Sequence, residues 1–325
     1  MMEIAFRSIL KDEMVSFIKV LKLSISASDT YRAYQRTLSD FDSFLYIEGL
    51  AEKKLDAAQI KRWIDGFDVR PSTRSGKLTH IRRFAGYLST LGIAATLPEM
   101  PRKTYDFSPY VFTADEMARI FEAADDLILS CPNSRRAAEF PVLLRMLYGC
   151  GFRSGEAIAL TWDDIDLSIG VVTVKTAKNQ KQRIVPMSDE LTRILKLYRA
   201  APYFNKQNSK LLFQKNDGGP CSTTTHWSVF NRILCDLGIR NSKTAKYRSH
   251  GPCIHSLRHT FTLHSLLKAE AEGRGFFDTV PFLSTYLGHS GLMETDKYLQ
   301  ARHELYTKAH TIIEDYTRSV FPEDE

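Results

Sequence analysis

The strongest constraint on this chain is a place where helical spacing stops. At Leu97-Pro98-Glu99-Met100-Pro101-Arg102-Lys103 two prolines push the backbone away from helix, and the stretch from Thr104 to Pro109 has no apolar periodicity. A linker is therefore expected at residues 97–111, so residues 1–96 and 112–325 must each bury their own apolar side chains. With 43% hydrophobic residues among 325, both parts have enough for a globular core.

Before the break, Phe6, Ile9, Leu10, Met14, Phe17, Ile18 and Leu21 recur at three and four, which makes one buried helical stripe. Ser24, Ser26 and Ser28 interrupt it, and Thr30 is placed to cap a second helix running to about residue 50. A short third helix is expected over residues 57–67. Pro71 and Ser72 open a fourth, over residues 73–91, with Ile81, Phe84, Tyr87 and Leu88 inward and Lys77, Arg82 and Arg83 among its polar residues. The result is a four-helix domain with one basic helix.

After the break, Thr113-Ala114-Asp115-Glu116 is a capping box that opens a helix to about residue 129. A second helix over residues 136–148 ends at Gly149 and Gly151, residues suited to a left-handed turn, and that turn presents Arg153. Ser154 is placed to cap the next short helix, with Glu156 in its first turn. Residues 171–174 and 183–185 are β-branched or alternating runs around the polar turn Ala177-Lys178-Asn179-Gln180-Lys181, which reads as a hairpin. Ser188 caps a helix over residues 189–198. Another follows over 224–237, and a long loop then leads through Pro252 to a helix carrying His255. Leu305, Ala309, Ile312, Ile313 and Tyr316 form the stripe of a terminal helix. The fold class is therefore mainly α with a small β-hairpin: a helical bundle followed by an α+β domain.

The net charge of +6 is modest, but its distribution is not. No Asp or Glu occurs between Asp68 and Glu99, a window holding Arg70, Arg74, Lys77, Arg82 and Arg83. The same holds between Asp166 and Asp189, with Lys175, Lys178, Lys181 and Arg183. It holds again between Asp236 and Glu270, with Arg240, Lys243, Lys246, Arg248, Arg258 and Lys268. Three acid-free windows far apart in sequence are suited to converge on one polyanion. No apolar run is long enough to span a membrane and no secretory signal is indicated, which makes the cytoplasm the expected location. Five widely spaced cysteines without a CxxC pair argue against a disulfide framework or a zinc ribbon.

Chemistry concentrates between His255 and Tyr298. His255 and Arg258, three apart, share one helical face; His289 and Tyr298 add a donor and a phenol; Arg153 adds a second guanidinium. Two arginines, two histidines and a tyrosine suit transesterification at a phosphodiester, which needs positive charge on the non-bridging oxygens, proton donors and a covalent nucleophile.

Arg153 in Gly151-Phe152-Arg153-Ser154-Gly155-Glu156, then His255-x-x-Arg258, then Leu287-Gly288-His289, with Tyr298 nine residues later, resembles the tyrosine recombinases of the phage integrase family. The resemblance covers the whole chain. Residues 1–96 look like the family's helical, SAM-like core-binding domain and residues 112–325 like its catalytic domain, the two together clamping DNA. No arm-binding module precedes them, as in the simple recombinases of the Xer and transposon type. The family also uses a hairpin lysine. Counting back from Arg183-Ile184-Val185-Pro186 places Lys178 there, with Lys175 and Lys181 as alternatives.

The resemblance implies that Tyr298 attacks the scissile phosphate to give a 3′-phosphotyrosyl bond without metal, ATP or any other cofactor. Arg153 and Arg258 would neutralise the transition state, His289 donate a hydrogen bond, Lys178 protonate the leaving 5′-oxygen, His255 assist proton transfer, and Glu156 orient the others. It further implies a synaptic tetramer on DNA, joined through the C-terminal helix. A nicking and closing enzyme of the type IB topoisomerase kind and a catalytically silent DNA-binding regulator are the alternatives.

Overall fold

The computed structural model describes residues 5–24, 28–101, 109–131, 134–175, 182–201, 210–215, 218–241 and 251–288. These fall into two compact units, one ending with residue 101 and the other beginning with residue 109.

Four helices build the first unit: α1 (Lys11–Ser24), α2 (Ser28–Ile47), α3 (Ala57–Asp65) and α4 (Pro71–Thr90). Leu38, Phe41, Trp63, Ile81, Phe84 and Leu88 form its centre, each side chain of that kind contributing about 1.5–3 kcal/mol on burial. Asp42 of α2 is buried and accepts the backbone N–H groups of Arg7 (2.7 Å) and Ser8 (2.9 Å), tying down the segment that enters α1. Thr30 lies inside α2 rather than at its cap, because the helix already begins at Ser28. Pro71 starts α4 as expected, its missing N–H costing nothing at a helix start. The chain leaving α4 stays on this unit: Thr96 N–H donates to Leu55 O (2.8 Å), and Arg82 Nη1 to Pro98 O (2.7 Å). The start of the expected linker is thus packed, and residues 102–108 lie outside the described residues.

In the second unit, α5 (Ala114–Ser130) opens at the Thr113 and Glu116 capping box, with hydrogen bonds of 3.1 and 2.9 Å. The central helix is α6 (Arg135–Gly149). Phe140, Leu143, Leu144, Met146 and Leu147 are all buried there, packed in one core with residues of α5, of α8 (Asp189–Ala200), of α9 (Thr223–Asp236) and of α10 (Ser256–Ala271). Between α6 and α8 run α7 (Ser154–Ile158), a 3₁₀ turn at Trp162–Asp164, and an antiparallel sheet of order β1-β2-β3. Its strands are β1 (Ile165–Asp166), β2 (Val171–Lys175) and β3 (Gln182–Pro186). The expected hairpin is β2 and β3, whose tip lies outside the described residues; β1 adds a strand of only two residues.

The register opposes Val172 to Val185 and Val174 to Arg183. Because strand side chains alternate, Arg183 shares the inward face with buried Val185, while Ile184 between them points out. A last described helix, α11 (Phe276–Leu287), is not among the sequence expectations. It ends in Gly288 at φ +66°, the left-handed cap that glycine accepts without penalty. Among the described residues no helix is long and apolar enough to cross a membrane.

Candidate active site

The Arg153 turn is shaped by what surrounds Gly151. That residue has φ +61°, and a Cβ placed on it would stand 2.5 Å from Phe261 Cδ1 and 2.9 Å from Leu287 Cδ2, so the turn is pressed against α10 and α11. Phe152 is buried in the core, and Arg153 follows as the residue capping α7. Ser154 is therefore the first helical residue and not the cap. Glu156 takes over that work: its Oε2 accepts the Arg153 backbone N–H (3.0 Å), while its Oε1 accepts Arg153 Nη1 (2.9 Å). Held at its root, the Arg153 side chain is still 37% exposed.

Arg258 enters from α10 with its side chain only 2% exposed. Its Nη1 donates to Gly151 O and its Nη2 to Leu287 O, both at 2.8 Å. Nη1 also lies 4.0 Å from Glu156 Oε2, so two arginines 105 positions apart meet at one carboxylate. His255 is the cap residue of α10 rather than part of its body, and its backbone oxygen accepts the Arg258 N–H at 3.1 Å. The exposed His255 ring stands edge-on to His259, 4.8 Å between centroids, so it lies in the open while Arg258 is buried.

A third guanidinium shares the carboxylate. Arg183 of β3 donates from Nη2 to Glu156 Oε2 (2.8 Å) and from Nη1 to Oε1 (3.3 Å). Burial works to raise the Glu156 carboxyl, but hydrogen bonds and charge from Arg183 and Arg153 outweigh it and hold the group below its usual value. Three permanent cations around one carboxylate leave the cluster with excess positive charge, the property a phosphodiester site requires.

Residues 110–304 match the phage integrase family. The chain belongs to that family. The matched span takes in Arg153, Lys178, His255, Arg258, His289 and Tyr298. Tyrosine recombinase XerC of Brucella melitensis biotype 1 is 29% identical over 315 residues, covering 90% of this chain and 92% of the relative. Among solved structures, the XerH site-specific recombinase bound to palindromic difH substrate in a post-cleavage complex gives a TM-score of 0.64 at 18% identity. That comparison covers 87% of this chain and 80% of the other. A lambda integrase (75–356) dimer bound to a COC′ core site also gives 0.64, at 15% identity, over 87% of this chain and 95% of the other. The integrase-family fold is thus common to all of these, and this member is a tyrosine site-specific DNA recombinase rather than a topoisomerase-like enzyme or a silent regulator.

The remaining candidates of this integrase-family chain divide sharply. Lys178, Lys181, Lys243, Lys246, Arg248, His289 and Tyr298 lie outside the described residues. Lys175 ends β2 with its ammonium 2.5 Å from Asp164, whose hydrogen bond raises the lysine above its ordinary value. On α4, Arg74 pairs with Asp65, and Lys77 pairs with Asp40 (2.6 Å) and lies over the Phe67 ring (4.2 Å). Arg70, Arg82 and Arg83 are exposed. Arg240 is buried, 6% exposed, and donates to Pro252 O at 2.5 Å. In the sequence Arg183 figures as one charge of a basic window and as the start of the strand from which Lys178 is counted, and not among the site residues. Its inward register opposite Val174 is the signal that marks it out.

Proposed function

We propose that this recombinase cuts and rejoins a double-stranded DNA site through Tyr298. The phenolic oxygen bonds to phosphorus as the bond from phosphorus to the 5′-oxygen breaks, leaving a 3′-phosphotyrosyl link and a 5′-hydroxyl. His255 assists departure of the phenolic proton, and Lys178 supplies the proton to the 5′-oxygen. His289 donates to a non-bridging oxygen. Arg153 and Arg258 carry the charge on the phosphate, a task suited to a planar, permanently charged fork. The link keeps the energy of the phosphodiester, so rejoining draws on no nucleotide.

The observation that carries this reading is the convergence of Arg153 and Arg258 on Glu156. It gives the family's arginine pair a shared brace. The Lys175 pairing with Asp164 adds support for Lys178 as the acid, since Lys175 is already committed. In this reading residues 1–96 are a core-binding module, residues 112–325 the catalytic domain, and the two close around DNA in the cytoplasm. Lys181, Lys243, Lys246, Arg248, Arg70, Arg82 and Arg83 contact the phosphate backbone, and the segment after Tyr298 joins neighbouring subunits in a tetramer.

The test is a suicide substrate carrying a nick beside the scissile phosphate. Tyr298→Phe should bind that DNA as wild type does and form no covalent adduct; an adduct that persists in the variant overturns the assignment.

A further inference from the structure

We propose that Arg183 is a positioning residue for the reaction, acting on Arg153 through the carboxylate they share. The proposal rests on the reading of Arg153 as a phosphate clamp given above.

Arg183 stands where three separate pieces of backbone meet. It belongs to β3, the strand returning from the hairpin tip, and its alternation turns it inward. Its two Nη atoms take both oxygens of Glu156, at 2.8 and 3.3 Å, in a two-toothed grip. Its side chain also lies close against Gly288, the residue before His289. A Cβ there would stand 3.1 Å from Nη1, 3.3 Å from Cδ and 3.4 Å from Cζ.

The consequence for Arg153 is electrostatic and geometric. Glu156 has only two carboxylate oxygens, and Arg183 occupies both with its side chain just 12% exposed. Without Arg183 the carboxylate keeps its bonds to the Arg153 backbone N–H and Nη1, with Arg258 Nη1 4.0 Å away, so its charge falls more fully on Arg153 and draws that guanidinium inward. With Arg183 in place Glu156 is fixed, its attraction is divided, and Arg153 keeps a defined direction and an unquenched field. Lysine in its place would keep the charge but lose the fork.

The experiment compares Arg183→Met and Arg183→Lys with wild type on two nicked suicide substrates. One carries the natural scissile phosphate and the other a methylphosphonate, in which a methyl group replaces one charged non-bridging oxygen. DNA binding by gel shift and thermal unfolding are measured on the same samples. On the natural phosphate, adduct formation should fall about 10- to 100-fold in Arg183→Met, the scale of a misplaced catalytic group, and less in Arg183→Lys. On the methylphosphonate, whose reduced charge asks less of the Arg153 clamp, both variants should approach wild type. A purely structural role would depress both substrates equally, and that result, or wild-type rates on the natural phosphate, overturns the proposal. Should Arg183→Met fail to fold, Arg183→Lys decides by the same comparison. Loss of the Tyr298 assignment is read separately, from an adduct that survives Tyr298→Phe.

Discussion

Replacing Gly151 by alanine should damage both the fold and the chemistry, and the size of the effect follows from two separate costs. The backbone stays at φ +61°, where an L-residue loses roughly 1–2 kcal/mol. The new methyl meets Phe261 at 2.5 and 2.8 Å and Leu287 at 2.9 Å, overpacking worth about 1–3 kcal/mol. Together these predict a loss of about 2–5 kcal/mol from the second unit. Urea unfolding followed by circular dichroism measures it. Phe261→Ala in the same chain removes the aromatic half of the clash, so Gly151→Ala should cost less in that background than in wild type, while the backbone strain remains. Relief of the clash by a shift of the turn moves the Gly151 oxygen away from Arg258 Nη1, now 2.8 Å distant, so adduct formation should fall as well. An unchanged unfolding midpoint in Gly151→Ala, or an equal cost with and without the Phe261 ring, refutes the reasoning.

The hairpin lysines give a second prediction. Lys175→Ala should leave adduct formation on the suicide substrate near wild type, because that ammonium serves Asp164, whereas Lys178→Ala should lower it about 10²- to 10⁴-fold; the reverse order would move the acid to Lys175. Acid sensitivity gives a third. Burial pushes His226 from its ordinary 6.5 down to about 4, so in that window the unfolded chain binds a proton that the folded chain refuses. Stability should thus fall as pH drops through the window, by roughly 3 kcal/mol at its lower end. His226→Gln should flatten that slope in unfolding measured from pH 7 to 4.5, and an unaltered slope would assign the acid sensitivity elsewhere.

What the sequence made legible was local, and what it hid was set by partners far along the chain. The Thr113 capping box lies within four residues and was readable, as was the left-handed glycine before Arg153. The cap of α7 was misread because the Glu156 carboxylate reaches back to the Arg153 N–H and leaves no vacancy for Ser154. A two-residue β1 is too short to carry alternation, and α11 holds Pro281 in its interior, a residue that on sequence alone argues against a helix. Basic windows were visible, but not their occupants: Lys77 answers to Asp40, 37 positions away, and Arg240 to the carbonyl of Pro252.

The same principle changes how Arg258 must be understood. Its motif announces a phosphate ligand, yet its two Nη atoms bond the carbonyls of Gly151 and Leu287, from the Arg153 turn and the end of α11. Buried to 2% exposure, that guanidinium satisfies two backbone acceptors that would otherwise be costly inside the protein. It therefore fixes the distance between the turn that carries Arg153 and the glycine that precedes His289. In the proposed reaction, a loss of activity on replacing Arg258 then combines a missing charge at phosphorus with a loosened frame. Gly151→Ala disturbs the frame and leaves the Arg258 charge in place, so a larger loss of adduct formation in Arg258→Ala than in Gly151→Ala is the expected sign of a role at the phosphate, and an equal or smaller loss would assign Arg258 to the frame.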